Sequence, residues 1–325
     1  MMFSVVIPVY NKETTVARAV RSVFAQVCRD YEIVAVNDGS LDGSLAVLRN
    51  LEIESKNLGV DLRVVDKKNE GVSATRNRGV REARGDWVMF LDADDYYLPR
   101  FLAEMADLIS RNPEAGMAGS NYYVLNEGVL RSYLLGFTAG YVNYFRYWMP
   151  LWILFNSSSF GMRRKTFLHI GGFREDLRFY EDAELMFRAA FTAKVVATPE
   201  PLAVYTDDAP VKLSRQGGVR ITEKLPHVRL LDKRIEEGCA SAEELRCARR
   251  WVSQEIKVAY LQHESVENVM ALYIATLSTS PGIKKMASSR LLPLYVFYLR
   301  VRDYVVAWMF SRRDRSESVQ TPKTV

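Results

Sequence analysis

Cysteine and histidine are scarce in this chain, three of each in 325 residues. Cys28, Cys239 and Cys247 form no CxxC pair. Neither a disulfide framework nor a cysteine zinc site is supported, and a reducing cytoplasm is the simplest home. His169, His227 and His263 are scattered without HExxH spacing, so a zinc-hydrolase site is set aside. No GxxxxGK followed by Ser or Thr occurs, and no GxGxxG follows the first apolar run. A nucleotide, if bound, is held in neither the P-loop nor the dinucleotide-binding manner. No GxSxG nucleophile elbow is present. There is no C2H2 finger and no arginine-rich block, and a net charge of +5 from 44 basic and 39 acidic residues is too small to argue for nucleic acid. The opening "MMFSVVIPVYNKE" has neither a basic n-region nor a cleavage site, so it reads as a strand and not as a signal peptide.

What is present is a globular composition, 48% hydrophobic and 26% charged. The first hundred or so residues alternate strand and helix signals. Apolar, β-branched runs at Phe3–Tyr10, Glu32–Asp38, Leu62–Asp66 and Trp87–Asp92 predict strands. Between them, Val16, Val20, Val23, Phe24 and Val27 fall at helical spacing behind Thr14 or Thr15 as N-cap, Leu45, Leu48 and Leu51 stripe a second helix, and Ser73–Arg84 reads as a polar third. Strands apolar on both faces and separated by helices imply an α/β fold, a mostly parallel central sheet flanked by helices. Ligands of such sheets collect at the carboxyl ends of the strands. A further helix is expected over 99–111 with Pro99 in its first turn. Residues 117–215 read as irregular, aromatic and Gly-rich, with "NSSSFGMRR" (Asn156–Arg164) inside them, and the chain becomes helical and charged from about 220.

The polar signatures sit where strands end. "WVMFLDADD" runs from a buried strand into Asp92, Asp94 and Asp95, whose charges repel and resist dehydration. If the backbone stays extended, Asp92 and Asp94 project to one side and suit a hard divalent cation with open positions for phosphate oxygens. The plainer reading is that they favour the N-terminus of the 99–111 helix. Asp38, in "VNDGSLDGS", either bonds its own turn or reads a base or ribose. Arg76 gains interest only if Asn69, Glu70 and Gly71 loop to the same edge. Glu181-Asp182 opens a helix over 181–191, either as ordinary first-turn acids or as the site of a general base.

Five stretches, in order, resemble the inverting glycosyltransferases of family 2, which have the GT-A fold: "VVIPVYN", "IVAVNDGSLDGS", "NEGVSATRNRG", "WVMFLDADD" and "IGGFREDLRFYEDAELMFR". The resemblance implies that Pro8, Tyr10, Asp38, Asn69 and Arg76 wall the nucleoside, with Asp38 at the base. It makes Asp92 the ribose-side member of a DxD motif and Asp94 the ligand of a Mn2+ or Mg2+ bridging to the donor diphosphate. It makes Asp182 the catalytic base, with Tyr180 and Glu181 shaping the acceptor side. The implied activity is transfer from a nucleoside-diphosphate sugar, UDP foremost, to a glycan or lipid-linked acceptor in cell-surface polysaccharide or lipopolysaccharide synthesis. The chain departs from many members in lacking a histidine in "VYTDDAPVKLS", where Asp207 or Asp208 is the substitute at hand, and in lacking the QxxRW of processive synthases. A sugar nucleotidyltransferase and a non-catalytic glycan-binding scaffold are the competing readings.

The expected division is a catalytic domain over 1–220 and a helical region over 221–325. Within the latter, 291–310 is apolar except for Arg300, Arg302 and Asp303. That cluster argues against a spanning helix. An amphipathic helix on the anionic cytoplasmic face of a membrane, and a helix packed on protein, both remain open.

Overall fold

A computed structural model describes residues 2–132, 135–148, 154–207, 226–248 and 250. The chain divides into two compact units, Met1–Gln254 and Glu255–Val325. The second unit, with the apolar stretch at 291–310, lies outside the described residues.

The sheet begins with the expected parallel half. Strand β1 (Phe3–Val9) is central, paired in parallel with β2 (Tyr31–Asp38) on one side and β4 (Trp87–Phe90) on the other; β3 (Asp61–Lys67) continues beyond β2. The alternation of side chains along these strands decides which core each enters. Phe3, Val5, Ile7, Ile33, Ala35, Trp87 and Met89 join helices α1 (Val16–Phe24), α2 (Ser44–Asn57) and α4 (Phe101–Arg111) on one face. Val6, Val34, Val36, Val88 and Phe90 face α3 (Val72–Glu82), α6 (Arg164–His169) and α7 (Glu181–Thr192) on the other. Both faces are covered, which is why these strands read as unbroken apolar runs. Gly79 explains the close seat of α3: a Cβ there would lie 2.3 Å from Val6 Cγ1.

The stretch expected to be irregular instead carries the two longest strands, β6 (Ala115–Asn126) and β10 (Lys194–Thr206), parallel to each other. Their sequences escape the strand pattern because glycine, serine, proline and glutamate interrupt the apolar positions. Between β4 and β6 lies β9 (Phe160–Arg163), antiparallel to both. The path across the sheet is β3-β2-β1-β4-β9-β6-β10-β5, with β5 (Tyr96–Tyr97) antiparallel on the edge of β10. Strands β7 (Val129–Arg131) and β8 (Gly140–Val142) pair with β6 and β10, and the short helix α5 (Tyr144–Tyr147) follows. Helix α8 (Pro226–Glu236), beyond the expected boundary at 220, buries Val228 and Leu231, and Leu231 joins the second core.

Strand order reverses between β1 and β4, since the chain leaves β1 outward through β2 and β3 and returns on the other side. That makes the carboxyl ends of β1 and β4 the switch point at which such sheets open a crevice. Pro8 widens it. The Val6 carbonyl accepts from Leu91 N at 3.1 Å, so the alternate residue Pro8 also faces β4, where that strand has already ended. A proline in a central strand is tolerated there because no ladder bond is owed.

Candidate active site

The crevice is acidic, and its charges are organised by one arginine. Arg76, on α3, is 3% exposed. Its Nη2 donates to Asp92 Oδ1 and its Nη1 to Glu181 Oε1, both at 2.7 Å, while the Phe173 ring lies 5.2 Å from its guanidinium carbon. The arginine thus joins the carboxyl end of β4 to the first turn of α7. Burial disfavours its charge, but Asp92 and Glu181 outweigh that and hold the guanidinium firmly protonated. In the sequence Arg76 is an ordinary residue of a polar helix. Only the fold makes it the link between two acidic motifs.

The expected extended geometry of Asp92 and Asp94 is not what forms. Strand β4 stops at Phe90, and residues 92–95 close a turn in which Asp95 N donates to Asp92 O at 3.0 Å. The two carboxylates take different partners. Asp92 takes Arg76 on one oxygen and Ser157 Oγ, at 2.5 Å, on the other. Burial pushes its carboxyl up, but Arg76 and Ser157, with Lys12, hold it below the usual range. Asp94 receives Lys12 Nζ at 2.8 Å across the crevice from the loop after β1. Asp95 is 1% exposed, accepting from Ser158 Oγ at 2.6 Å and Thr206 N at 2.8 Å. It does not cap α4. Burial, then the charges of Asp94 and Asp92, push its carboxyl up to about 8.

Asp182 is half-buried in the first turn of α7, where it accepts from Ala183 N at 2.7 Å. Burial and then Glu181 raise its carboxyl to about 6, against the pull of Arg76. Tyr180, immediately before the helix, is 38% exposed and left-handed, with φ 61°. At the other side of the crevice Tyr10 is 43% exposed at the end of β1. The loop it opens is fastened to the loop after β2: Asn11 Oδ1 accepts from Leu41 N at 2.8 Å, and Lys12 N donates to Ser44 Oγ at 2.7 Å. Asp38 is 3% exposed, accepting from Glu70 N and Gly71 N at 2.9 Å each and from Lys67 Nζ. It thereby fixes the turn before α3, where Gly71 takes φ +93° and Asn69 is exposed. Asn69, Glu70 and Gly71 do loop to the sheet edge that bears Asp38.

The structure thus gathers Arg76, Asp92, Glu181 and Asp182 into one network, with Asp94 and Lys12 at its mouth. Asp38 holds Glu70 and Gly71 at the end of β2. Lys12, Lys67, Ser157 and Ser158 have no role legible in the sequence, because a lone lysine and a serine run carry no signal without their partners. Among the described residues no group of three or more His, Cys, Asp or Glu is arranged to hold a metal ion. Asp92 and Asp95 have both carboxylate oxygens hydrogen-bonded, so Asp94, ion-paired with Lys12, is the one of the three that would hold a hard cation. The remaining ligands would be oxygens of donor and water. Asp208 lies outside the described residues.

The sequence model described as "Glycosyl transferase family 2" matches residues 4–171, about half of the chain. The chain belongs to that family. Among curated relatives, glycosyltransferase GlyA of Streptococcus pneumoniae is 32% identical over 135 residues, 41% of this chain and 19% of that protein. The chain therefore spans about a fifth of GlyA's length. Among solved structures, S. aureus TarS 1-349 in complex with UDP-GlcNAc superposes with a TM-score of 0.68 at 20% identity, covering 93% of this chain and 88% of that one. Mannosyltransferase PcManGT from Pyrobaculum calidifontis, in complex with GDP-Man and Mn2+, gives 0.56 at 17% identity over 88% and 83%. At these identities the likeness is one of fold: the family 2 member is a GT-A protein.

Proposed function

We propose that the chain transfers a sugar from a nucleoside-diphosphate sugar, UDP foremost, to an acceptor hydroxyl with inversion at the anomeric carbon. The observation that carries this is the Arg76 bridge, which brings the Asp92 turn and the Glu181-Asp182 turn to one crevice at the switch point. Donor and acceptor chemistry need such a meeting. The UDP-GlcNAc and GDP-Man complexes of the fold relatives support a nucleotide-sugar donor.

In this reading Tyr10, Asp38 and Asn69 border the nucleoside behind Pro8, and Asp92, fixed by Arg76, meets the ribose. Asp94 would hold a Mn2+ or Mg2+, which when bound supplies positive charge to the diphosphate leaving group. Asp182 takes the proton of the acceptor hydroxyl, whose oxygen bonds to the anomeric carbon on the face opposite the diphosphate. The bond from that carbon to the diphosphate oxygen breaks, and its electron pair leaves with the nucleoside diphosphate. A carboxyl raised to about 6 is a stronger base than an ordinary aspartate yet still ionised at neutral pH. Tyr180 and Glu181 border the acceptor, a hydroxyl of a glycan or lipid-linked glycan as the resemblance implies. Among the described residues no helix is long and apolar enough to cross a membrane.

Calorimetric titration of UDP with Mn2+ present, into the wild type and Asp94→Ala, tests the donor side. We expect the variant to bind at least tenfold more weakly, and equal affinity would remove Asp94 from the site. Asp182→Asn should then lower transfer by on the order of a hundredfold or more while leaving UDP affinity in place.

A further inference from the structure

The run Asn156-Ser157-Ser158-Ser159 is buried throughout, at 5%, 8%, 0% and 0% exposure. Four consecutive polar residues in a protein interior need a reason, because each unpaired group there is costly. Part of the reason is internal. Asn156 Oδ1 accepts from Ser158 N at 3.0 Å, Asn156 N donates to Ser159 Oγ at 3.0 Å, and Ser159 N donates to Asn156 O at 3.1 Å. Ser120 N, on β6, donates to Ser159 O at 2.9 Å. The turn is self-locked and anchored to the sheet.

Two hydroxyls remain, and both point at the acidic turn. Ser157 Oγ donates to Asp92 Oδ2 at 2.5 Å. Ser158 Oγ donates to Asp95 Oδ2 at 2.6 Å while accepting from Asp92 N at 3.0 Å. A hydroxyl is the side-chain group that can donate and accept at one small neutral atom. Asp95 passes the anchoring on through Thr206 N at the end of β10, and Arg18 Nη2 closes the set with bonds to Asp94 O and to Thr206 Oγ1 at 3.0 Å.

We propose that Ser157 and Ser158 are positioning residues for the donor site: the self-locked serine turn holds Asp92 and the turn carrying Asp94 in the orientation that receives the nucleoside diphosphate. The inference rests on the donor-side reading of Asp92 and Asp94. Arg76 fixes only one oxygen of Asp92, so without Ser157 the carboxylate can pivot about that bond.

The test is UDP affinity by calorimetry at fixed Mn2+, with melting temperature measured on the same samples, for Ser157→Ala, Ser158→Ala, Ser159→Ala and Asp92→Asn. Ser159→Ala breaks a bond of the same turn but touches no aspartate. We expect Ser157→Ala and Ser158→Ala to weaken UDP about tenfold or more, the scale of a lost hydrogen bond to a charged group. Ser159→Ala should lower the melting temperature comparably with near wild-type affinity. Wild-type affinity in Ser157→Ala and Ser158→Ala, with weakened binding in Asp92→Asn, overturns the positioning role and leaves the donor site standing. Equal weakening by all three serine variants reduces the turn to a folding element. If Asp92→Asn binds UDP as the wild type does, the donor-side reading itself fails.

Discussion

The base hypothesis makes a quantitative demand on the pH dependence of transfer, and Glu181→Gln is the substitution that isolates it. Asp182 stands near 6 because burial raises it and Glu181 raises it further, while Arg76 opposes both. The glutamine keeps the shape of Glu181 and removes its charge. Asp182 then loses a like charge beside it, while Arg76, still held by Asp92, keeps pulling its carboxyl down. Unit charges roughly 6 Å apart at an effective dielectric of about 20 interact by about 3 kcal/mol. Asp182 is half-buried, so solvent screening removes about half of this. What remains is close to one pH unit.

A general base works only when deprotonated, so kcat/KM for the acceptor should fall tenfold per pH unit below about 6 in the wild type. In Glu181→Gln the half-rate point should move down by about one unit. The assay is initial-rate transfer with saturating donor between about pH 4.5 and 9, read as released nucleoside diphosphate. A limb that stays in place or moves up refutes the electrostatic account. If the variant is inactive at every pH, the Asp182 carboxyl can be followed directly by 13C NMR titration, and the same downward shift is required.

Three further outcomes follow from the geometry. Asp95 binds a proton in the folded state up to about pH 8, whereas an unfolded aspartate releases it near 4. Its raised carboxyl therefore lowers stability progressively as pH rises through that window. Asp95→Asn should be more stable than wild type in denaturant titrations with chelator present, by a margin that grows from about pH 4 and levels off above about 8; a pH-independent difference would refute this. Lys12→Gln removes the ammonium 2.8 Å from Asp94 and should tighten Mn2+ about fivefold by calorimetry, the scale of a partly exposed ion pair; weaker Mn2+ binding would mean that Lys12 helps the cation and does not compete with it. Gly79→Ala places a methyl 2.3 Å from Val6 Cγ1 and should cost about 1–3 kcal/mol of stability by chemical denaturation; an unchanged midpoint would show that α3 can move off β1 freely.

The parallel half of the fold was legible because its residues obey two local rules at once. Val5 and Val6 are both apolar because each enters a different core, so β1 announces itself without reference to anything distant. Strands β6 and β10 obey neither rule. "AGMAGSNYYVLN" and "KVVATPEPLAVYT" become strands because they pair with each other, a long-range fact that no window of sequence contains. The site divides along the same line. Asp92, Asp94 and Asp182 could be singled out because charge is costly at the end of a buried strand and informative at the start of a helix. The groups that decide how those carboxylates behave could not. Arg76 lies 16 residues from Asp92 and 105 from Glu181, and Ser157 lies 65 from Asp92. Each is an ordinary residue locally and acquires its role only from the partner the fold supplies. The acidic motif therefore states where chemistry is expected. The neutral and basic residues around it set the proton affinity, the orientation and the charge left over for a cation, and those belong to the fold.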